Sequence, residues 1–444
     1  MSTRKRIAVV GAGISGLASA WLLSRHHDVT LYEAGAYFGG HTNTVDVTLD
    51  GRTHPVDTGF LVFNEKTYPN LIALFEHLGI DSVETEMSFA VSLENPHLEW
   101  AGSNLATIFG QKRNLVRREF WRMLADILRF NRDSTAWLLA HPDNRRSLRD
   151  FLSDGRYSAA FADWYLLPMA AAIWSCPTGQ MLDMPLATFI RFCQNHGLLQ
   201  VFDRPMWRTV YGGGREYVRQ LVAGIKANGS HCRLACPVSA VTREGSGLRV
   251  THAAGSEAFD QVVMACHSDQ SLAILGFTAS DAQRDVLAAI RYQPNRAVLH
   301  TDPALLPRDR KLWSAWNYFA AAGQPGEQPV GVSYLINKLQ PLPFETPVVV
   351  TLNPAREPDP AKILAEFEYA HPIFDGPAIA AQQRLRAPGN DVQGAGGIWL
   401  AGAWGGYGFH EDGLKSALRV ARGMGIQAPW QSSATASHTS AALA

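Results

Sequence analysis

The chain has 444 residues, 46% hydrophobic and 18% charged, which suits one large globular domain or two smaller ones and excludes a disordered or fibrous chain. Basic and acidic residues balance at a formal net charge of zero, so no global field favours nucleic acid. The five cysteines are scattered; Cys232 and Cys236, four apart, have no neighbouring pair to complete a zinc set, so reduced thiols, a cytosolic setting and no metal are expected.

The charged start MSTRKR precedes IAVVGAGISGLASAWLLS. Its glycines and length fit a strand, a tight turn and a helix rather than an export signal. No apolar run reaches the ~20 residues needed to span a bilayer. Ile7 to Val10 reads as a buried strand, Gly11-Ala12-Gly13-Ile14-Ser15-Gly16 as a GxGxxG turn, and Leu17 to Ser24 as a helix. A second strand, Val29 to Glu33, ends in an acid at the spacing of a ribose-binding carboxylate, about twenty residues after the glycines. The glycines let backbone approach a pyrophosphate, which then rests on the helix N-terminus.

Phe38 to Thr44 and Pro55 to Gly59 read as loops lying over a cofactor, and Tyr68 to Leu199 as mostly helical. Asn114 to Leu139 carries a helical period, with Val116, Phe120, Met123, Ile127 and Phe130 near one face. Arg113, Arg117, Arg118, Arg122, Arg129 and Arg132 make it basic, and two readings fit: a solvated face, or a helix lying on a membrane surface.

Tyr211 to Leu221 reads as a turn opening a helix, and Val238 to Val241 and Leu248 to Val250 as strands. Phe259 to Ala265 reads as a strand returning to the first sheet. From Asn295 to Leu352, apolar segments alternate with Pro-rich turns, which suggests an antiparallel sheet. Gly397 to Ala401 is one more strand, feeding GAWGGYGFHEDGLKSA (Gly402 to Ala417) and a last helix, Leu414 to Met424. The small, polar residues 431–444 read as a disordered tail.

The predicted fold is therefore α/β: a discontinuous Rossmann-like domain from residues 1–67, 205–270 and 390–430, with an inserted α+β substrate domain from 68–204 and 271–389. A nucleotide fold closed by a late strand, a Gly-rich turn and a helix suits a long dinucleotide whose far end needs its own support.

These features, with VDTGFLVFNEKTYPNL, SAWNY, FEYAHPIFD and GAWGGYGFHEDGLKSA, resemble the FAD-dependent amine oxidase superfamily, which includes monoamine oxidases, protoporphyrinogen oxidase and phytoene desaturases. The resemblance runs from about Ile7 to Met424 and is closest to a bacterial group of amine-oxidase-like proteins. Some of that group are fused to, or encoded beside, cyclopropane-fatty-acid synthase-like methyltransferases.

The resemblance implies an FAD-binding set. Gly11, Gly13, Ser15 and Gly16 would meet the pyrophosphate, Glu33 and Ala34 the adenosine ribose, and Val238 the adenine. Gly39, Gly40 and His41 would lie near the phosphates and flavin, with His41 where the family commonly has arginine. Thr58 and Gly59 would lie beside the flavin. Gly402 and Ala403 stand where the family has Gly-Asp or Gly-Glu, so an acid is missing. Gly413 and Leu414 would aim helix N-terminal amides at the flavin N1/O2 edge.

His410, Tyr407 and Asn295 are the candidate catalytic residues. His410 falls near an aromatic-cage position, and Asn295 stands nearest to where many amine oxidases carry a lysine. His371 and Trp316-Asn317-Tyr318 are further pocket candidates, whereas Met169 and Trp174 read as core. Glu411 and Asp412 read as caps of the last helix. With no cysteine in the last motif, FAD is expected to be non-covalent. The expected chemistry is hydride removal from a lipid-like or amine substrate. A methyltransferase partner and contact with the inner membrane face are further expectations.

Overall fold

The computed structural model describes residues 4–141, 146–174, 178–199, 205–321 and 331–431. Cys176 and residues 432–444 of the expected tail lie outside them.

The strands Arg6–Val10 and Asp28–Tyr32 are buried at every position but the first. That pattern belongs to a parallel sheet covered on both faces. Five parallel strands form this sheet, in the order His231–Arg233, Asp28–Tyr32, Arg6–Val10, Gln261–Met264, Ile398–Leu400. They come from the beginning, middle and end of the chain, and the mixed α/β fold follows. Alternation along Arg6–Val10 assigns the two faces. Ile7 and Val9 pack with the helices Ile14–Ser24, Arg215–Ala227 and His410–Gly423, whereas Ala8 and Val10 pack with the antiparallel strands Val238–Glu244 and Gly247–His252. The helix Pro69–Leu78 joins the first of these cores through Leu71, Leu74 and Phe75.

A seven-stranded sheet carries the second half of the molecule. Its order is Ile363–Pro372, Tyr292–His300, Val349–Leu352, Gly331–Leu335, Trp316–Ala320, Phe89–Leu93, Leu98–Ala101. Trp316–Ala320 pairs with Phe89–Leu93 in parallel, and the other neighbours are antiparallel. The stretch expected to be mostly helical thus contributes strands to this sheet. Their partner lies far along the chain, and no local periodicity announces it.

The Pro55–Asp57 segment, expected as loop, ends a hairpin of Thr44–Leu49 and Arg52–Asp57. Asp50 (φ 52°) and Gly51 (φ 71°) form its tip, a two-residue Asp-Gly turn that matches the strands' twist. The last helix starts at His410, one turn earlier than Leu414.

Candidate functional site

The first strand delivers the chain into the glycine turn at the C-terminal edge of the parallel sheet. Gly11 has φ +100°, and a Cβ there would lie 2.9 Å from Ala265 C and Cys266 N. At Gly16 a Cβ would strike the Gly11 carbonyl oxygen, so this glycine sets the packing of helix against turn. Gly13 differs: a Cβ there would meet nothing within 4 Å, and its backbone faces a cavity. The three glycines therefore have separable duties of turning, packing and exposing backbone. Gly16 does not itself reach the cavity wall.

Gly40 brings a second backbone beside Gly13, its Cβ position 3.1 Å from the Gly13 Cα. The Gly39 N–H donates to Ala12 O at 2.8 Å. Glu33 closes the other end of the turn, where Oε2 accepts from the Ala12 N–H at 2.8 Å and Oε1 from the Gly35 N–H at 2.7 Å. Ser15, Ala34 and Val238 line the same wall.

Beyond Gly40 the wall becomes a cluster of imidazoles and phenols. The His41 ring lies 5.0 Å from Tyr369, 5.4 Å from His371 and 6.2 Å from His267, and His267 stacks on Tyr292 at 4.4 Å. Burial pushes His371 down to about 4 and His41 and His267 below their ordinary value, so all three are neutral near pH 7. The His41 Nε2 is buried without a protein partner, and a buried ring nitrogen of this kind fits a ligand polar group. Thr58 Oγ1 lies 2.8 Å from Tyr369 OH, and Gly59 leaves room for the His41 carbonyl, which a Cβ would strike.

Asn295 stands behind this cluster rather than in it. Its amide donates to His371 Nδ1 at 3.1 Å and its carbonyl accepts from Asn353 Nδ2 at 2.6 Å, and it is not among the cavity-lining residues. It contacts His371 and does not itself reach the described cavity wall.

The last strand leads into Gly402 and Ala403, both on the cavity wall, and the Gly402 N–H donates to Ser416 Oγ at 2.9 Å. Gly413 and Leu414 do not point free amides into the cavity. The Gly413 N–H already bonds Phe409 O at 3.0 Å inside the helix, a Cβ on Gly413 would lie 2.6 Å from Ile14 Cγ2, and Leu414 is fully buried in the core. Because the helix starts at His410, its intrinsically unpaired amides belong to the preceding turn. Asp412 caps this helix, accepting from the Phe409 N–H at 3.1 Å, while burial raises its carboxyl to about 6. Glu411, expected to cap the same helix, reaches the helix Pro69–Leu78 instead.

His410 lies on the cavity wall, stacked on Phe60 at 3.7 Å. Its Nε2 is 2.8 Å from Thr42 Oγ1 and 3.1 Å from Tyr217 OH, and those two hydroxyls also touch. Burial pushes its pKa down to about 3. A ring held by stacking and two hydroxyls is fixed in place, and one so hard to protonate orients a partner better than it accepts a proton at neutral pH. Tyr407 also lines the cavity, 5.7 Å from Phe192.

The cavity is continuous, with a volume of about 1220 Å³, larger than the ~300–1,000 Å³ of an ordinary small-ligand pocket. Besides the glycine turns and His410, its wall takes in an apolar chamber of Met87, Phe89, Trp100, Tyr165 and Ile173. Met169 and Trp174, read from sequence as core, are buried and line this chamber as well, as does Trp316. Asn317 does not: its amide donates to Ser314 O and Ser333 O. Sequence reasoning passed over Tyr369 and His267. Tyr369 and His371 sit two apart in a strand and so share a face, a signal that alternation carries. His267 follows the returning strand, where a cleft of this fold opens.

The sequence profile of flavin containing amine oxidoreductases matches residues 14–300. The "Putative flavin-containing monoamine oxidase AofH" of Mycobacterium tuberculosis is 26% identical over 404 residues, covering 85% of this chain and 77% of that protein. Among solved structures, a CLA-producing fatty acid isomerase from P. acnes superposes with a TM-score of 0.66 at 16% identity, over 95% of this chain and 99% of that one. Cyclohexylamine oxidase from Brevibacterium oxydans superposes with a TM-score of 0.64 at 16% identity, over 95% of this chain and 100% of that one. At such identities the two structures speak for the fold alone. The family profile spans more than half of the chain and the glycine turn has the matching shape: the chain belongs to the flavin containing amine oxidoreductases and is an FAD-dependent oxidoreductase.

Proposed function

We propose that the protein removes a hydride equivalent from an apolar, lipid-like substrate, as a fatty acyl desaturase or dehydrogenase does. The observation that carries this reading is the chamber. Its described wall is aromatic and aliphatic, and the whole described cavity surface includes no lysine or arginine and only two acids, Glu33 and Glu368. Glu33 belongs to the nucleotide end, and Glu368 lies on an exposed position of its strand. Such a wall excludes water and favours an acyl chain over a cation. A zeta-carotene desaturase from Synechocystis that is 39% identical over 75 residues adds support.

When bound, FAD supplies the hydride acceptor. The backbone at Gly13 and Gly40 would approach the dinucleotide, Glu33 would receive the ribose, and His41 would offer its unpartnered ring nitrogen in place of an arginine. Phe60, His410 and Tyr407 line the cavity and would orient the substrate. The cysteines on the described wall, Cys236 and Cys266, stand at the nucleotide end beside Glu33 and Gly11, which supports a non-covalent cofactor.

A second reading, amine oxidation with transfer of electrons to O₂, is favoured by the mycobacterial relative's name. Anaerobic mixing of the flavin-loaded protein with fatty acyl phospholipids, or with primary and secondary amines, separates the two. Bleaching of the flavin absorbance by a lipid supports the first reading, and bleaching by an amine replaces it with the second. An oxidised flavin against both sets, with a stoichiometric complex with a lipid methyltransferase, would make the protein a non-catalytic FAD-binding partner.

A further inference from the structure

Large apolar side chains are unevenly distributed over the surface. Of twelve that are exposed among the described residues, six fall between residues 105 and 139: Leu105, Leu115, Val116, Trp121, Leu128 and Leu139. Val116 is 84% and Leu139 81% exposed. Isolated exposed leucines need no explanation, but a contiguous set marks a surface made to be covered.

The helix Arg118–Ala140 organises the set. Phe120, Met123, Phe130 and Leu138 bury one face. The opposite, exposed face is not the polar stripe of an ordinary surface helix. At helical spacing it presents Arg118, Trp121, Arg122, Ala125, Leu128, Arg132, Ala136 and Leu139. The preceding turn adds Lys112, Arg113, Leu115 and Val116, all exposed. Five cationic side chains on this face meet two acids, Glu119 and Asp133, the latter paired with Arg132 at 2.8 Å. The remaining acid of the helix, Asp126, is buried against Arg129 and the Ser158 N–H. The chain's net charge is zero, so the positive field is local to this face.

An occupant must therefore be apolar within and anionic at its surface, along a helix of 23 residues, roughly 35 Å. We propose that this face docks on an anionic phospholipid surface. Val116, Trp121, Leu128 and Leu139 enter the acyl boundary, while Lys112, Arg113, Arg118 and Arg122 meet the phosphates. Among the described residues no helix is long and apolar enough to cross a membrane, so the protein lies on the bilayer. The face also backs onto the chamber. The Arg117 guanidinium lies 5.6 Å from the Trp164 ring, and the Trp164 carbonyl accepts from the indole N–H of Trp100, a chamber-wall residue. The docking inference stands on the surface alone and does not require the lipid-substrate reading.

The test is co-sedimentation of the flavin-loaded full chain with phosphatidylcholine vesicles, with and without phosphatidylglycerol, at low and high salt. Binding should require phosphatidylglycerol and weaken with salt. The double variant Arg118→Glu/Arg122→Glu should bind at least about tenfold more weakly, since each basic residue at such a surface matters by ~1 kcal/mol. Val116→Ser/Leu128→Ser should also lose binding. Because all four positions are exposed, both variants should keep the wild-type flavin spectrum and melting temperature. Absence of binding to anionic vesicles, or equal binding by wild type and both variants, overturns the proposal. So does salt-insensitive self-association abolished by Val116→Ser/Leu128→Ser, which would assign the face to a second copy of the chain. Vesicle binding is read independently of flavin bleaching, so either inference can fail without the other.

Discussion

The Glu411 carboxylate, in the first turn of the last helix, accepts from the Leu71 N–H at 3.0 Å and so caps a different helix, Pro69–Leu78. Its other oxygen receives the Asn70 side-chain amide at 2.6 Å and the Asn70 N–H at 3.2 Å. Tyr68, at that helix's N-cap position, supplies no side-chain cap of its own. One acid of the flavin motif thus fastens a helix that packs under the nucleotide sheet. Glu411→Ala should lower stability by about 2 kcal/mol, because buried amides lose a charged acceptor. Urea unfolding measures this, and an unchanged midpoint would dismiss the cap.

The glycines of the first turn should fail in different ways. Gly13 has φ −70°, and a Cβ there meets nothing, so Gly13→Val should fold with a melting temperature near that of the apoprotein yet carry no flavin. Gly16→Ala should destabilise the apoprotein itself, because its methyl group would collide with the Gly11 carbonyl. The flavin-to-protein absorbance ratio and a thermal melt distinguish the cases. Full flavin occupancy in Gly13→Val would contradict the cradle.

His410 is held by Phe60, Thr42 and Tyr217, and its role in the site is tested through that support. His410→Ala should retain FAD and slow substrate-driven reduction by about a hundredfold, the cost of a misplaced reactant. Tyr217→Phe removes one of two hydroxyl contacts and should slow it by about tenfold or less. Since the ring stays neutral down to about pH 3, the wild-type rate should show no acid limb near 6.5 attributable to His410. Rapid-mixing spectroscopy across pH reads all three effects, and wild-type kinetics in His410→Ala would remove this residue from the site.

Acidification should destabilise the apoprotein. Seven described histidines are held below their ordinary value, chiefly by burial: His27, His41, His196, His267, His300, His371 and His410. The unfolded chain protonates each near 6.5, before the folded chain does, so their stabilisation is complete above that pH and is lost as pH falls. Asp57 and Asp412, raised to about 6, act oppositely, because between 3.8 and about 6 the folded state holds their protons more tightly, and Asp163, also raised by burial, acts in the same sense as they do. The histidines outnumber them, so the urea midpoint should fall from pH 7 to pH 5, by ~1.4 kcal/mol per pH unit for each unmatched proton. A rise would show that the buried acids dominate.

Local stereochemistry made the first nucleotide unit legible in the sequence. A positive φ, a helix packed against a turn and a carboxylate at strand end each constrain residues close in the chain, so the places of Gly11, Gly13, Gly16 and Glu33 in the turn could be read from spacing. The basic, helical character of Arg118–Ala140 was legible for the same reason, whereas its exposed apolar residues, and Val116 just before it, emerged only from the packing. Tertiary structure decided whatever depends on partners distant in sequence. Phe89–Leu93 became a strand because Trp316–Ala320 lies beside it, and Glu411 became the cap of a helix that begins at Pro69. The last helix starts at His410 because Asp412 caps Phe409 there, which moved the free amides away from Gly413. His41, His267 and His371 form one cluster only where two sheets meet, and Asn295 stands behind it because strand pairing sets its amide against His371. Spacing specifies a turn, but a site assembled from three stretches of chain is specified by the packing that brings them together.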